Sequence, residues 1–135
     1  MAGQEKPSHG EFCWNELATS DAAGAKRFYT ELLGWTLKEG DAAPMAYTEI
    51  VVGDKHVGGI YQSGPEFGGG DTPPHWMAYV SVDEVDAAAR RVGELGGKVR
   101  VPPMDIPHVG RFCVITDPQG ASLALITLSP ERHGI

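Results

Sequence analysis

The residues of this 135-residue chain that are equipped for chemistry are few and scattered. Phe12-Cys13-Trp14-Asn15-Glu16-Leu17-Ala18 alternates as a strand does, which puts Phe12, Trp14, Glu16 and Ala18 on one face and sets a carboxylate beside an indole. On a buried face, desolvation raises the pKa of Glu16 and makes it a usable general acid or base, or a partner for a cationic ligand; on an exposed one it is an ordinary edge-strand glutamate. His75 opens a later strand beside Pro74, two residues before Met77 and therefore on the same strand face, where an imidazole serves either function or the rim of a site. Trp14, Tyr47 and Trp76 offer aromatic walls for a flat or cationic molecule, although aromatic residues on strands also build cores. His108 and Arg111 flank a loop that could bring them over a cleft. Glu49, His56 and His133 have no companion in the sequence that lifts them above surface residues. Cys13 and Cys113 lack an identifiable activating base and read as inert thiols.

Bulk properties narrow the field. One domain of this length buries roughly two-thirds of its unfolded surface and needs no staple. The net charge of −7, with no cationic cluster longer than Lys26-Arg27 or Arg90-Arg91, argues against a nucleic-acid surface, whose affinity is dominated by cationic contacts. No stretch approaches the roughly 20 apolar residues of a membrane span. Two cysteines a hundred residues apart, with a polar start and no secretory segment, suit a reducing cytoplasm.

The elements that must position these residues follow from periodicity. Residues 1–10 read as a mobile tail and 130–135 as a second one, around a single domain over 11–129. After the first strand, Thr19-Ser20-Asp21 offers N-cap oxygens. Ala25, Phe28, Tyr29, Leu32 and Leu33 then recur at helical spacing until Gly34 stops the helix. Strands are expected over 35–39, 46–52 and 55–61, the last two joined by a Gly53-Asp54 hairpin turn. The Gly- and Pro-rich stretch 62–74 reads as a linker.

Beyond it the pattern begins again: a strand over 75–82, Asp83 as N-cap, and a helical stripe of Val85, Ala89, Val92 and Leu95 ended by Gly96-Gly97. A strand over 98–101, the Pro-rich loop 102–110, a strand over 111–116 and a closing hairpin complete the chain. That hairpin turns on Asp117-Pro118-Gln119-Gly120, with Asp, Pro and Gly at the positions a type I turn favours. Asp21, Leu33 and Gly34 map onto Asp83, Leu95 and Gly96 at one offset of 62 residues. The fold expected is therefore α+β: two tandem β-α-β-β-β modules, 11–61 and 75–129, forming a cupped, mostly antiparallel sheet with helices on its outer face.

The chain resembles the vicinal oxygen chelate superfamily, which includes glyoxalase I, bleomycin-resistance proteins and extradiol dioxygenases. The resemblance rests on the helix start at Asp21 with Phe28-Tyr29 and Leu33-Gly34-Trp35 behind it, on Val80-Ser81-Val82-Asp83, and on Asp117-Pro118-Gln119-Gly120 before the last strand. It implies a ligand site in the cup and, in metal-using members, four His, Gln or Glu ligands from the first and last strands of both modules. Carried onto this chain, those positions fall at Trp14, Gly59, Met77 (or Trp76, if the internal repeat sets the count) and Ala124. None is a plausible ligand for a divalent ion, and even a catalytic zinc needs three from the protein. The expectation is a metal-free, cofactor-free binder of a small aromatic or apolar molecule, lined by Trp14, Glu16, Tyr47, Gly59, His75, Met77, Arg111 and Ala124. The alternatives are a metal-dependent lyase or dioxygenase with displaced ligands such as His75 and Glu16, and a metal-free acid–base enzyme built on Glu16. The resemblance also implies a homodimer.

Overall fold

The computed structural model describes residues 7–40, 47–64, 73–106 and 109–129. Among the described residues, eight strands and two helices follow the expected order. The first module comprises β1 (Phe12–Thr19), α1 (Ala22–Leu33), β2 (Thr36–Glu39), β3 (Tyr47–Val52) and β4 (Lys55–Gln62). The second comprises β5 (His75–Ser81), α2 (Val85–Glu94), β6 (Lys98–Ile106), β7 (Gly110–Thr116) and β8 (Ser122–Leu128). Its contacts divide the chain into two compact units, Asn15–Met77 and the combination of Met1–Trp14 with Ala78–Ile135. Among the described residues, no helix is long and apolar enough to cross a membrane.

In the unit Asn15–Met77 the strand order is β2-β3-β4-β1, antiparallel except for the parallel β1–β4 pair. Alternation and the helix period together decide what faces what. Leu17, Ile50 and Ile60 are buried under Ala22, Ala25 and Tyr29 of α1, so Glu16, Tyr47, Glu49, Gly59 and Tyr61 turn to the other face. The Asp21 carboxylate caps α1 by accepting the Gly24 N–H at 3.0 Å, and Gly34 closes it in the left-handed region at φ +71°, where a β-carbon is penalised. The expected apolar stripe on α1 is only partly used. Phe28, Leu32 and Leu33 remain exposed, because the small Ala22 and Ala25 bring the helix against the sheet on a different side.

The second unit repeats the scheme with strand order β5-β8-β7-β6. Val80, Val82, Cys113 and Leu125 are buried beneath Val85, Ala88 and Ala89. Ahead of β1, the Gly10 N–H bonds Ser81 O at 2.7 Å and the Asp83 N–H bonds His9 Nδ1 at 2.9 Å, which anchors residues 9–10.

Two expectations need correction. Asp83 does not cap α2: the helix starts one residue later than the repeat offset implies, with Glu84 in the cap position and no side-chain cap bond. Thr127 of β8 serves instead, its Oγ1 accepting the Val85 N–H at 2.8 Å while donating to Val82 O at 3.0 Å. The expected Pro-rich loop is mostly strand, because β6 continues through Pro102-Pro103 to Ile106. β6 is the edge strand of its unit, and its register against β7 shifts between Val99 and Val101 and again between Val101 and Met104. Bulges on an edge strand tolerate residues that donate no hydrogen bond. The closing turn is as read, with the Gly120 N–H on Asp117 O and the Asp117 carboxylate accepting the Gln119 and Ala121 N–H groups, each at 2.9 Å.

Candidate functional site

The first unit gathers its chemistry on the face turned away from α1. Register places Glu16, Gly59 and Glu49 in one row across β1, β4 and β3, with Ala18, Tyr61 and Tyr47 in the next. The Tyr47 ring lies over Gly59: a β-carbon added there would collide with Tyr47 Oη and Cζ. From that position the hydroxyl donates to Glu16 Oε2 at 2.7 Å, a charge-assisted bond when the carboxylate is ionised. Tyr61 stacks on Tyr47 with ring centroids 6.4 Å apart. Burial, and then the Glu16 charge, push the Tyr61 hydroxyl pKa above its usual range, so it stays a neutral donor at physiological pH.

Beside this group the His56 ring meets Glu49, with Nδ1 2.6 Å from Oε1. Their side chains are 34% and 20% exposed, so the pair is neither sequestered nor fully solvated. Neither residue stands out in the sequence, because the β3–β4 hairpin and the register shift between Ile50 and Val51 are what bring them together. Tyr61 goes unremarked for the same reason: only register sets it beside Tyr47.

The other residues singled out from sequence divide between units and faces. Trp76 packs on the α1 side, 5.5 Å from the Tyr29 ring and 6.0 Å from Trp35, with its Nε1–H directed to Tyr29 Oη at 3.3 Å. Alternation then turns His75 and Met77 away from α1, and His75 Nδ1 lies 2.9 Å from Pro73 O. In the second unit Ala124 is fully buried in β8, in register with Tyr79 and Val114. The face around it is apolar, with Tyr79 and Phe112 6.3 Å apart. Trp14, which belongs to the same unit, is buried.

Arg111 is engaged by two carboxylates, Nε to Asp86 of α2 at 3.0 Å and Nη1 to Asp105 at 3.1 Å. It therefore lies on the α2 side and ties helix to sheet. His108 and His133 fall outside the described residues. Burial and the Glu11 charge push the Cys13 thiol up to about 11, and burial followed by Asp86 raises Cys113. A shallow groove along α2, lined by His9, Asp83, Ala87, Arg91 and Leu95 among others, contains none of these candidates.

The side chains at the four family positions do not fit a metal. Gly59 gives its space to an aromatic ring, Ala124 presents a methyl group, and Trp14 and Met77 supply no nitrogen or oxygen donor suited to a divalent ion. Among the described residues, no group of three or more His, Cys, Asp and Glu side chains is disposed to hold one.

An α+β chain of two β-α-β-β-β modules, each with one helix laid on a four-stranded sheet, defines the class of fold. The chain belongs to the glyoxalase/bleomycin resistance protein/dioxygenase superfamily, whose model matches residues 12–125. It is 39% identical over 124 residues to the Mycobacterium tuberculosis protein CFP32, which is named as a glyoxylase; the match covers 91% of this chain and 46% of that protein. It is 32% identical over 127 residues to the anthracycline biosynthesis protein DnrV of Streptomyces peucetius, covering 86% of this chain and 46% of that one. The chain thus spans about half the length of these relatives. Among solved structures it is similar in fold to methylmalonyl-CoA epimerase from Mycobacterium tuberculosis, with TM-score 0.61, 18% identity, and 90% and 89% of the two chains covered. It is also similar to a Mn(II)-bound glyoxalase from Novosphingobium aromaticivorans, with TM-score 0.59, 19% identity, and 88% and 39% covered.

Proposed function

We propose that this protein binds a small aromatic organic molecule without a metal, using the face of the first module that carries Glu16, Tyr47 and Tyr61. The observation that carries the reading is the Tyr47 ring lying over Gly59 with its hydroxyl on Glu16. At a position to which the family resemblance assigns a metal ligand, this chain has a glycine with an aromatic ring lying over it. Two stacked phenols give a π surface, and Glu16 and the Tyr61 hydroxyl give directional polar contacts at its edge. Relatives named for glyoxylase activity and for anthracycline biosynthesis support a small organic ligand. The reading includes a homodimer, for which the exposed Phe28, Leu32 and Leu33 of α1 provide apolar surface, and a reducing compartment such as the cytoplasm, which suits two free thiols.

Thermal unfolding against a panel of aromatic compounds tests the binding. A ligand at a hundredfold over its Kd stabilises by about 2.7 kcal/mol, which is a shift of a few degrees for a domain of this size. No stabilising compound, together with stoichiometric metal retained after purification, defeats the reading. Light scattering tests the dimer.

A metal-free acid–base enzyme is the second reading, favoured by the same contact, because a carboxylate hydrogen-bonded to a tyrosine is a positioned proton acceptor. Deuterium uptake from solvent into the bound compound, lost in Glu16→Gln, separates enzyme from binder.

A further inference from the structure

We propose that His56, held by Glu49, is a proton acceptor for the hydroxyl of the bound molecule, so that the site selects an acidic O–H ligand, a phenol or enol, and holds it as the oxyanion. The inference rests on the binding reading above and adds the ligand's chemical class.

With the Glu49 carboxylate 2.6 Å from Nδ1, the proton of a neutral His56 sits on Nδ1 and the lone pair on Nε2, because an ionised carboxylate can only accept. Transfer of the ligand's proton breaks its O–H bond, forms an Nε2–H bond and leaves the electron pair on oxygen. The resulting imidazolium keeps its Nδ1–H on the Glu49 carboxylate, so the pair passes from a net charge of −1 to neutral as the ligand becomes an anion.

Position supports this role. Glu49 is the direct neighbour of Gly59 across β3 and β4, on the face that carries Tyr47 and Tyr61. His56 lies three residues before Gly59 on β4, so the strand rise sets their Cα atoms roughly 10 Å apart. A ring stacked against the tyrosines with a hydroxyl at its edge bridges much of that span. Among the described residues, the other charged or titratable groups on this face are Glu16, already accepting from Tyr47, Lys38, which is in register with Glu49 on β2, and His75, whose Nδ1 lies against Pro73 O. Glu16 repels an oxyanion and Lys38 attracts one, so the hydroxyl is directed to the His56 side.

The test compares 4-nitrophenol with 4-nitroanisole, which has the same ring with its hydroxyl proton replaced by methyl. Equilibrium dialysis measures affinity, and visible absorbance reports the phenolate form of bound nitrophenol at a pH where the free compound is mostly neutral. The wild-type protein is expected to prefer nitrophenol at least tenfold and to show the phenolate band. His56→Gln and Glu49→Gln are each expected to abolish both the preference and the band, and a thermal unfolding midpoint close to that of the wild type certifies that the variants fold. Equal binding of the two probes by wild-type protein overturns the proton-acceptor role and leaves the aromatic site standing. Binding of neither probe defeats both. A nitrophenol preference that survives both substitutions overturns His56 as its source.

Discussion

The ring of Tyr47 occupies the space that a β-carbon on Gly59 would need, and from there its hydroxyl reaches Glu16 at 2.7 Å. The two residues are twelve apart in sequence and adjacent across the β3–β4 pairing, where Gly59 is the direct partner of Glu49. A methyl group at position 59 cannot coexist with the ring where it lies. Gly59→Ala is therefore expected to cost about 1–3 kcal/mol, as overpacking of a buried site does, and to weaken aromatic ligands by displacing Tyr47. Removing the ring should remove the conflict. In denaturant unfolding, Gly59→Ala on a Tyr47→Ala background should cost less than half as much, and equal costs on the two backgrounds would show that Tyr47 is not what the glycine accommodates.

Tyr61 answers to Glu16 through charge. Burial is the larger cause of its raised pKa, and the Glu16 carboxylate the second. A phenol whose folded pKa exceeds its unfolded value near 10 contributes stability that is fully present below that value and is lost as pH rises through the folded pKa. Glu16→Gln should lower the Tyr61 midpoint part-way toward 10, because the burial contribution remains. Tyrosinate absorbance, with Tyr61→Phe subtracted to isolate the one residue, measures this directly. An unchanged midpoint would mean that Glu16 exerts no charge effect on Tyr61.

The two helices begin by different devices, and substitution should separate them. Asp21 supplies an ordinary N-cap to α1, so Asp21→Ala is expected to cost about 1 kcal/mol. At α2 the cap oxygen comes from Thr127, 42 residues away from Val85 in sequence. Thr127→Val should cost about 1–3 kcal/mol, since it strands the N–H of Val85, a residue only 2% exposed, and removes a donor from Val82 O. Asp83→Ala should stay within about 0.5 kcal/mol, as surface substitutions do. Chemical denaturation of the three variants checks the ranking; Asp83→Ala proving the costliest would reverse it.

Local signals were enough to expose the fold. The cap at Asp21, the stop at Gly34, the Gly53-Asp54 hairpin and the Asp117–Gly120 turn each depend on residues within a few positions of one another, and each lies where its chemistry points. Features that depend on register could not be read in that way. Glu16 and Tyr47 stand out as residue types, yet their contact spans 31 positions and exists only because β4 lies between β1 and β3. The His56–Glu49 pair needs both the hairpin and a register shift within it. Thr127 as the cap of α2 requires β8 to run beside β5. The continuation of β6 through two prolines runs against propensity and is possible because the strand is an edge with bulges. Arg111 is engaged by Asp86 and Asp105, carboxylates whose proximity no local pattern announces.

Cys13 offers a test that does not depend on the ligand. Burial is the larger cause and the Glu11 charge the smaller in raising its thiol from 9.0 to about 11. The thiolate is the reactive species, so a rise of that size leaves roughly a hundredfold less of it at neutral pH than an unperturbed cysteine would have. Iodoacetamide should therefore modify Cys13 about two orders of magnitude more slowly than it modifies a cysteine peptide at pH 7.5, with the rate still climbing above pH 10. Glu11→Gln should speed the reaction modestly, since it removes the repulsion and leaves the burial. Cys113, raised by burial and then by Asp86, should be slow as well, so mass spectrometry of the two tryptic peptides is needed to assign the rates. Peptide-like alkylation of Cys13 at neutral pH would mean that its thiol is neither desolvated nor repelled in solution.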